Sequence, residues 1–289
     1  MKPRAFLQLD VFTDRPYYGN PLAVILNAED LDAVAMQRIA NWTNLSETIF
    51  LLPPTVPQAD YRVRIFTPLS ELPFAGHPSV GAAYAVLVSG RVDGSKRELL
   101  QECAAGLLPV RVEGDGVERV IQVQAPDARF APPDPALAPL LAQALGVAPA
   151  APPRNICNGP WWLIADLGEA AAVRSLKPDL ARVAEMTRRH GAVGVAVFGR
   201  ERSGDAAYAV RAFCPADGVP EDPVTGSANA AIGAYLHATD PAFAHGGRYR
   251  ASQGREVGRD GRVEVTVGSD GRTSIGGRCV ICVEGTLLA

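Results

Sequence analysis

The feature that most constrains this chain is an internal duplication. Arg64-x-Phe66-x-Pro68 recurs as Arg211-x-Phe213-x-Pro215, 147 residues on (64 to 211). Pro73 recurs as Pro220, Gly76-His77 as Gly226-Ser227 at a shift of 150 (76 to 226), and Ala83-Tyr84 as Ala234-Tyr235, with about four residues inserted along the way. Solenoid repeats have periods of about 20–50 residues, so a single recurrence at this distance predicts two pseudo-symmetric halves instead. The length of 289 residues agrees, because domains run to about 100–200 residues.

Strand patterns dominate both ends. "AFLQLDVF" alternates, "PLAVIL" and "ETIFLL" are short apolar runs, and "YRVRIFTP" at 61–68 alternates until a proline stops it. Between them "DLDAVAMQRIANWTN" at 30–44 puts Leu31, Val34, Ala35, Ile39 and Trp42 at helical spacing behind an Asp30 cap. Residues 109–126 predict a hairpin turning at Asp115-Gly116, and 255–288 repeat that logic with turns at Asp260-Gly261 and Asp270-Gly271. Each half therefore carries its own antiparallel sheet in an α+β fold. The Pro- and Ala-rich segment 125–159 reads as a crossover holding one helix at 135–146, and 180–191 as a helix stopped by Gly191, followed by the paired strands "AVGVAVFGRE" and "AAYAVRAFCP".

Composition narrows the function. A formal charge of −3 with a pI near 5.9 and no basic stripe argues against nucleic acid. No run of about 20 apolar residues predicts a membrane span, and "MKPRAFLQLDVFTD" breaks up before a signal-peptide core forms, so a cytoplasmic location is expected. Five cysteines fit reduced thiols better than a disulfide framework. Cys279 and Cys282 form a C-x-x-C, but residues three apart on a strand point to opposite faces, and both read as structural.

The chemistry concentrates at two helix openings, "ELPFAGHPSVGAAYAV" (71–86) and "VPEDPVTGSANAAIGAYL" (219–236). A helix start carries unpaired N–H groups and the positive end of the dipole, so two such openings facing one cleft would clamp a carboxylate. Gly76 allows close backbone approach, Pro78 suits the first helical position and His77 stands at the mouth. Gly226 and Ser227 repeat the arrangement, with Ser227 reading as a cap. Either opening alone reads as an ordinary helix cap; the duplication joins them into one candidate site. Proton transfer needs further groups, and two carboxylates stand out: Asp222, just before the second opening, and Glu47 in "NLSETIF", whose flanking Leu45, Ile49 and Phe50 predict desolvation and a raised pKa. His77, His190, His237 and His245 show no metal-ligand spacing, and no phosphate-binding glycine loop or G-x-S-x-G occurs. Acid–base chemistry by side chains alone is what the residues leave.

"DVFTDRPYYGNPLAVIL" (10–26), "NLSETIFL" (44–51), "RIFTPLSELPFAGHPSVGAAYAV" (64–86) and "RAFCPADGVPEDPVTGSANAAIGAYL" (211–236) together resemble the PhzF-like family of phenazine biosynthesis, related in fold to diaminopimelate epimerase. The resemblance implies two similar domains, each a mostly antiparallel sheet wrapped around a central helix, with the active site in the cleft between them. It puts the division near 122/123, with a C-terminal strand at about 276–289 returning to the first domain, and the central helices at about 78–89 and 227–237. It further implies a cofactor-free isomerase, commonly a homodimer, that shifts a proton within a small unsaturated carboxylic or amino acid. Carried over by motif, Glu47 resembles the proton-shuttling base, Asp222 and His77 the groups that position substrate and assist transfer, and Gly76, Gly226 and Ser227 the carboxylate clamp. Neither opening carries the cysteine that a two-thiol racemase needs, and Cys214 precedes its turn as a structural thiol. An epimerase of a small amino acid and a catalytically idle binding member are the competing readings.

Overall fold

The computed structural model describes all 289 residues, apart from the side chain of Val117. The chain forms two compact units, Met1–Gln124 with Gly276–Ala289, and Ala125–Ile275. The first contains β1 (Pro3–Val11), β2 (Asn20–Ile25), α1 (Ala33–Thr43), β3 (Glu47–Leu52), β4 (Tyr61–Phe66), β5 (Glu71–Leu72) and α2 (Gly76–Val88). It continues through β6 (Glu98–Cys103), β7 (Gly106–Glu113) and β8 (Val120–Gln124). The second begins with β9 (Arg129–Phe130), α3 (Leu137–Leu145), β10 (Arg154–Cys157), β11 (Trp161–Glu169), α4 (Ala170–Arg174) and α5 (Leu180–Arg189). There follow β12 (Gly194–Arg200), β13 (Tyr208–Cys214), β14 (Val219–Asp222), α6 (Gly226–Thr239), β15 (Gly247–Gln253), β16 (Gly261–Val267) and β17 (Thr273–Gly277). The chain then returns to the first unit as β18 (Cys279–Leu288), antiparallel to β1.

The duplication is topological as well as sequential. In the first unit β2 and β3 pair in parallel across α1, β3 and β4 are antiparallel, and β4 and β6 pair in parallel across α2. In the second, β11 and β12 pair in parallel across α4 and α5, β12 and β13 are antiparallel, and β13 and β15 pair in parallel across α6. Antiparallel pairs still predominate, but these parallel ones were not read from the sequence. A parallel pair cannot close through a tight turn, so each needs a crossover. In each unit the second crossover is the central helix.

Both central helices are apolar or small on every side, "GHPSVGAAYAVLV" and "GSANAAIGAYLHAT", and nearly every residue of each is buried. Glycine lets the surrounding strands come close. A Cβ on Gly81 would lie 2.3 Å from Leu22 Cδ2, and one on Gly233 would lie 2.9 Å from Thr273 Cγ2. The strands nearest these helices are covered on their other face too. In the first unit α1 sets Met36 and Ala40 against Ile25, Phe50 and Phe66. In the second, Leu141, Val183 and Met186 cover Val195 and Val197, which explains why β12 is apolar without alternation.

Several local expectations are corrected. The first helix begins at Ala33 behind Asp32, whose carboxylate accepts from the Ala35 N–H at 2.8 Å, while Asp30 instead pairs with Arg4 and Lys2. The buried face of the helix is formed by Met36 and Ala40 with Leu31 and Ile39 packed beside them, while Trp42 is 75% exposed and Val34 66%. A single 3-10 turn at Gly116–Glu118 joins β7 to β8, and residues 254–260 join β15 to β16, so neither Asp115-Gly116 nor Asp260-Gly261 forms a two-residue hairpin. Among the described residues no helix is long and apolar enough to cross a membrane.

The repeated R-x-F-x-P motif has one structural job in both halves. Arg64 forms a bidentate pair with Glu71, at 2.7 Å for each bond, and lies over the Phe66 ring. Arg211 does the same with Glu221 at 2.9 and 2.8 Å, lies over Phe213, and also donates to the Leu176 carbonyl at 2.8 Å. Their burial differs: the side chains of Arg64 and Glu71 are 28% and 35% exposed, those of Arg211 and Glu221 only 8% and 10%. Removing one partner of a buried pair strands a charge and costs about 3–5 kcal/mol, whereas an exposed pair is worth about 1 kcal/mol or less. Chemical denaturation is therefore expected to show a several-fold larger stability loss for Arg211→Ala than for Arg64→Ala, and equal losses would contradict this account of the motif.

Candidate active site

Glu47 opens β3 immediately after the loop that ends α1, where Asn44 caps the helix in the left-handed conformation. Residues 48–52 are buried behind it, so the carboxyl stands at the edge of the core with its side chain 15% exposed. Burial pushes its pKa up to about 7, only partly opposed by the neighbouring Ser46. Glu47 Oε2 is buried and takes no hydrogen bond. His77 Nε2 lies 3.5 Å from it, close enough to exchange a proton after a small movement but beyond a well-formed hydrogen bond. The result is a carboxyl whose charged and neutral forms are nearly balanced at neutral pH.

The imidazole reaches this point because α2 starts at Gly76, earlier than the sequence placed it, so His77 is its second residue and Pro78 its third. The residue before the helix, Ala75, is extended and has no side chain that could cap it. One turn in, buried Ser79 accepts from Gln101 Nε2 at 3.0 Å, and Gln101 Oε1 accepts from the Tyr61 hydroxyl at 3.2 Å. These bonds tie the helix mouth to β4 and β6.

The second unit repeats the device. Helix α6 starts at Gly226 behind Thr225, which is extended, and again no side chain caps the helix. A threonine in that place ordinarily accepts from an N–H of the first turn. Here its hydroxyl donates instead to Asp222 Oδ2 at 2.5 Å, which leaves the first-turn N–H groups and the positive helix end to a ligand anion. Buried Asn229, the fourth residue of α6 as Ser79 is of α2, donates to Gln253 Oε1 at 3.0 Å. Ser227 is not a cap, since it lies inside the helix, where its hydroxyl accepts from Trp162 Nε1 at 3.1 Å. Its own proton remains available to a ligand.

The structure thus brings Glu47, His77 and Gly76 together in one unit, and Asp222, Gly226 and Ser227 together in the other. Sequence reading missed Gln101, Trp162 and Gln253, which lie on β6, β11 and β15, strands it had not placed. The repeat held a signal for two of them, because Gln101 and Gln253 stand 152 residues apart (101 to 253), close to the shift of the helix openings. Among the described residues no cluster of histidine, cysteine, aspartate and glutamate is arranged to hold a metal ion, and all five cysteines are free thiols. Burial pushes the Cys279 thiol well above the ordinary range, as suits a structural residue.

Two units, each built on a central helix whose uncapped mouth stands beside a carboxyl group, make an α+β protein of epimerase-like fold. The sequence profile of the phenazine biosynthesis-like proteins, PhzC-PhzF, matches residues 9–285, and the chain belongs to that family. It is 35% identical over 264 residues to the trans-2,3-dihydro-3-hydroxyanthranilate isomerase of Pseudomonas aeruginosa, covering 89% of this chain and 88% of that one. It is also 35% identical to Antisense-enhancing sequence 1 of Schizosaccharomyces pombe, over 99% of both chains. Among solved structures, the PhzF-family phenazine biosynthesis protein of Bacillus anthracis superposes with a TM-score of 0.88 at 28% identity, over 100% of both chains. A probable proline racemase of Agrobacterium radiobacter shares the fold alone, with a TM-score of 0.67 at 16% identity over 99% of this chain and 93% of that one.

The raised pKa of Glu47 carries a stability consequence. The folded protein holds the proton up to about pH 7 while the unfolded chain releases it near 4.5, so stability is lost as pH rises through that window. The shift amounts to roughly 3 kcal/mol. Glu47→Gln is expected to be more stable than the wild type at pH 8 by up to that amount, and equal to it at pH 4, by denaturation at both pH values. A difference that does not change with pH would refute the desolvation of this carboxyl.

Proposed function

We propose that the chain moves a proton, and with it a double bond, within a small unsaturated carboxylic or amino acid, using Glu47 as the group that carries the proton. The supporting observation is the buried Glu47 carboxyl beside His77, with one oxygen free of hydrogen bonds and its pKa near neutrality. A general base works best when its pKa lies near the working pH, and desolvation supplies that match here. In the reaction, Glu47 in its ionised form takes a proton from a carbon next to a conjugated system. The C–H electron pair moves into the conjugated system, and a distal carbon takes the proton back from Glu47 or from His77. The uncapped starts of α2 and α6 are the groups that offer N–H donors to the substrate's carboxylate and to the charge that develops. Asp222 and Ser227 orient the substrate. Every group in this scheme is a side chain or a backbone N–H, so no cofactor enters it.

The test is incubation in heavy water with a panel of unsaturated and cyclic amino and carboxylic acids that includes trans-2,3-dihydro-3-hydroxyanthranilate, the compound in the name of the Pseudomonas relative. Wild type is expected to place carbon-bound deuterium on a new carbon. Glu47→Gln is expected to bind the same acid by thermal shift while losing on the order of a hundredfold or more in turnover. Label at the original stereocentre would mean an epimerase, and turnover retained by Glu47→Gln would remove the role assigned to Glu47.

A further inference from the structure

The bonds around Gln253 leave no freedom in the direction of their protons. The Thr225 backbone N–H can only donate, and it donates to Gln253 Oε1 at 3.0 Å. The Asp222 carbonyl can only accept, and it accepts from Gln253 Nε2 at 3.0 Å. Together these two contacts fix the orientation of the amide. Asn229 is fixed in the same way, because its Nδ2 donates to the Thr225 carbonyl at 2.8 Å as well as to Gln253 Oε1, and its Oδ1 is left buried without a partner.

With the amide fixed, Gln253 Nε2 must donate its other proton to Thr225 Oγ1, at 2.8 Å. That hydroxyl already receives a donor, so its single proton goes to Asp222 Oδ2, at 2.5 Å. A proton on Asp222 Oδ2 would point a second donor at Thr225 Oγ1 and leave the hydroxyl proton without this acceptor, and a hydrogen bond donated to a carboxylate favours its charged form. The adjacent carboxylate does not compete, since Glu221 is bound by Arg211. Backbone packing holds the loop in place: Gly254 sits at φ +100 where a Cβ would meet the Pro223 carbonyl oxygen at 2.5 Å, and a Cβ on Gly261 would meet Val224 Cγ2 at 2.4 Å.

We propose that Gln253 and Thr225 are positioning residues that form a one-way hydrogen-bond relay, Gln253 to Thr225 to Asp222, and that this relay holds Asp222 as the carboxylate through the reaction cycle. Asp222 then serves as a fixed acceptor for a donor group of the substrate, such as an ammonium or hydroxyl, while Glu47 is the one of the two carboxyl groups that carries the migrating proton. The inference rests on the function proposed above and adds a division of labour between its two carboxyl groups.

The deciding measurement needs no substrate. A short hydroxyl-to-carboxylate bond shields its proton poorly and slows its exchange, so proton NMR of the wild-type protein is expected to show a far-downfield hydroxyl resonance. That signal should persist in Thr225→Ser and disappear in Thr225→Val, Gln253→Glu and Asp222→Asn, with circular dichroism verifying that each variant is folded. Absence of such a signal from folded wild type, or its survival in Thr225→Val, overturns the relay. The second arm follows turnover of trans-2,3-dihydro-3-hydroxyanthranilate. Thr225→Val is expected to lose roughly tenfold to hundredfold in kcat with little change in KM, and Thr225→Ser to recover most of it. If Asp222→Asn loses turnover and Thr225→Val does not, the relay fails and the functional reading survives. If both Asp222→Asn and Glu47→Gln keep full turnover, the functional reading fails and takes the relay with it. A wild type inert toward this acid counts against it as the substrate, and the resonance still decides the relay.

Discussion

Each half of the molecule depends on one polar contact made in an otherwise apolar place, between the fourth residue of the central helix and a glutamine on a neighbouring strand. Ser79 meets Gln101 in the first half and Asn229 meets Gln253 in the second, with all four side chains buried. Leaving such a group unpaired costs about 1–3 kcal/mol, so sliding either helix by one residue would break the contact and be penalised. The surrounding apolar contacts are less directional. Small residues let the strands close on the helix, but they would tolerate a shifted register better than the amides would. The position of each helix mouth therefore follows from a hydrogen bond one turn inside it.

That constraint shapes the chemistry available at the mouths. Neither helix is capped by a side chain, for two different local reasons: Ala75 has no polar atom to offer, and Thr225 has its hydroxyl committed to Asp222. An uncapped start is a cost in an isolated helix. Here the packing of the helix on every side offsets that cost, and the first-turn N–H groups stay available to an anion. The carboxyl groups near the mouths stand in opposite surroundings. Glu47 sits against the core with one oxygen unbonded, whereas Asp222 receives a short hydroxyl bond. Environments that separate two carboxyl groups in this way also separate the roles they can take.

The duplication, the two helix openings and the apolar neighbours of Glu47 were legible in the sequence because each leaves a local pattern: a repeated motif, a glycine before a small-residue run, a charged residue inside an apolar stretch. The parallel strand pairs were not, since parallel pairing is set by where a crossover returns and no short window records it. Gln101, Trp162 and Gln253 were missed for a related reason. Each is a single polar or aromatic residue on a strand that the reading had not placed, and its importance comes from a partner 22 to 65 residues away. Ser227 looked like a cap because serine before an apolar run usually is one; tertiary contact with Trp162 gave its hydroxyl another partner. The later start of α1 was missed because Asp30 and Asp32 are equally good caps on paper, and Arg4 and Lys2 claim the first.

The central claim is that burial has brought the Glu47 carboxyl to the edge of neutrality, where it can both take and return a proton. The most direct measurement is a carbon-13 NMR titration of the glutamate side-chain carboxyl groups, with the Glu47 signal assigned by its absence from Glu47→Gln. The account predicts a midpoint at about 7, well apart from the exposed glutamates. A midpoint near 4.5, the value of a free glutamate, would contradict it.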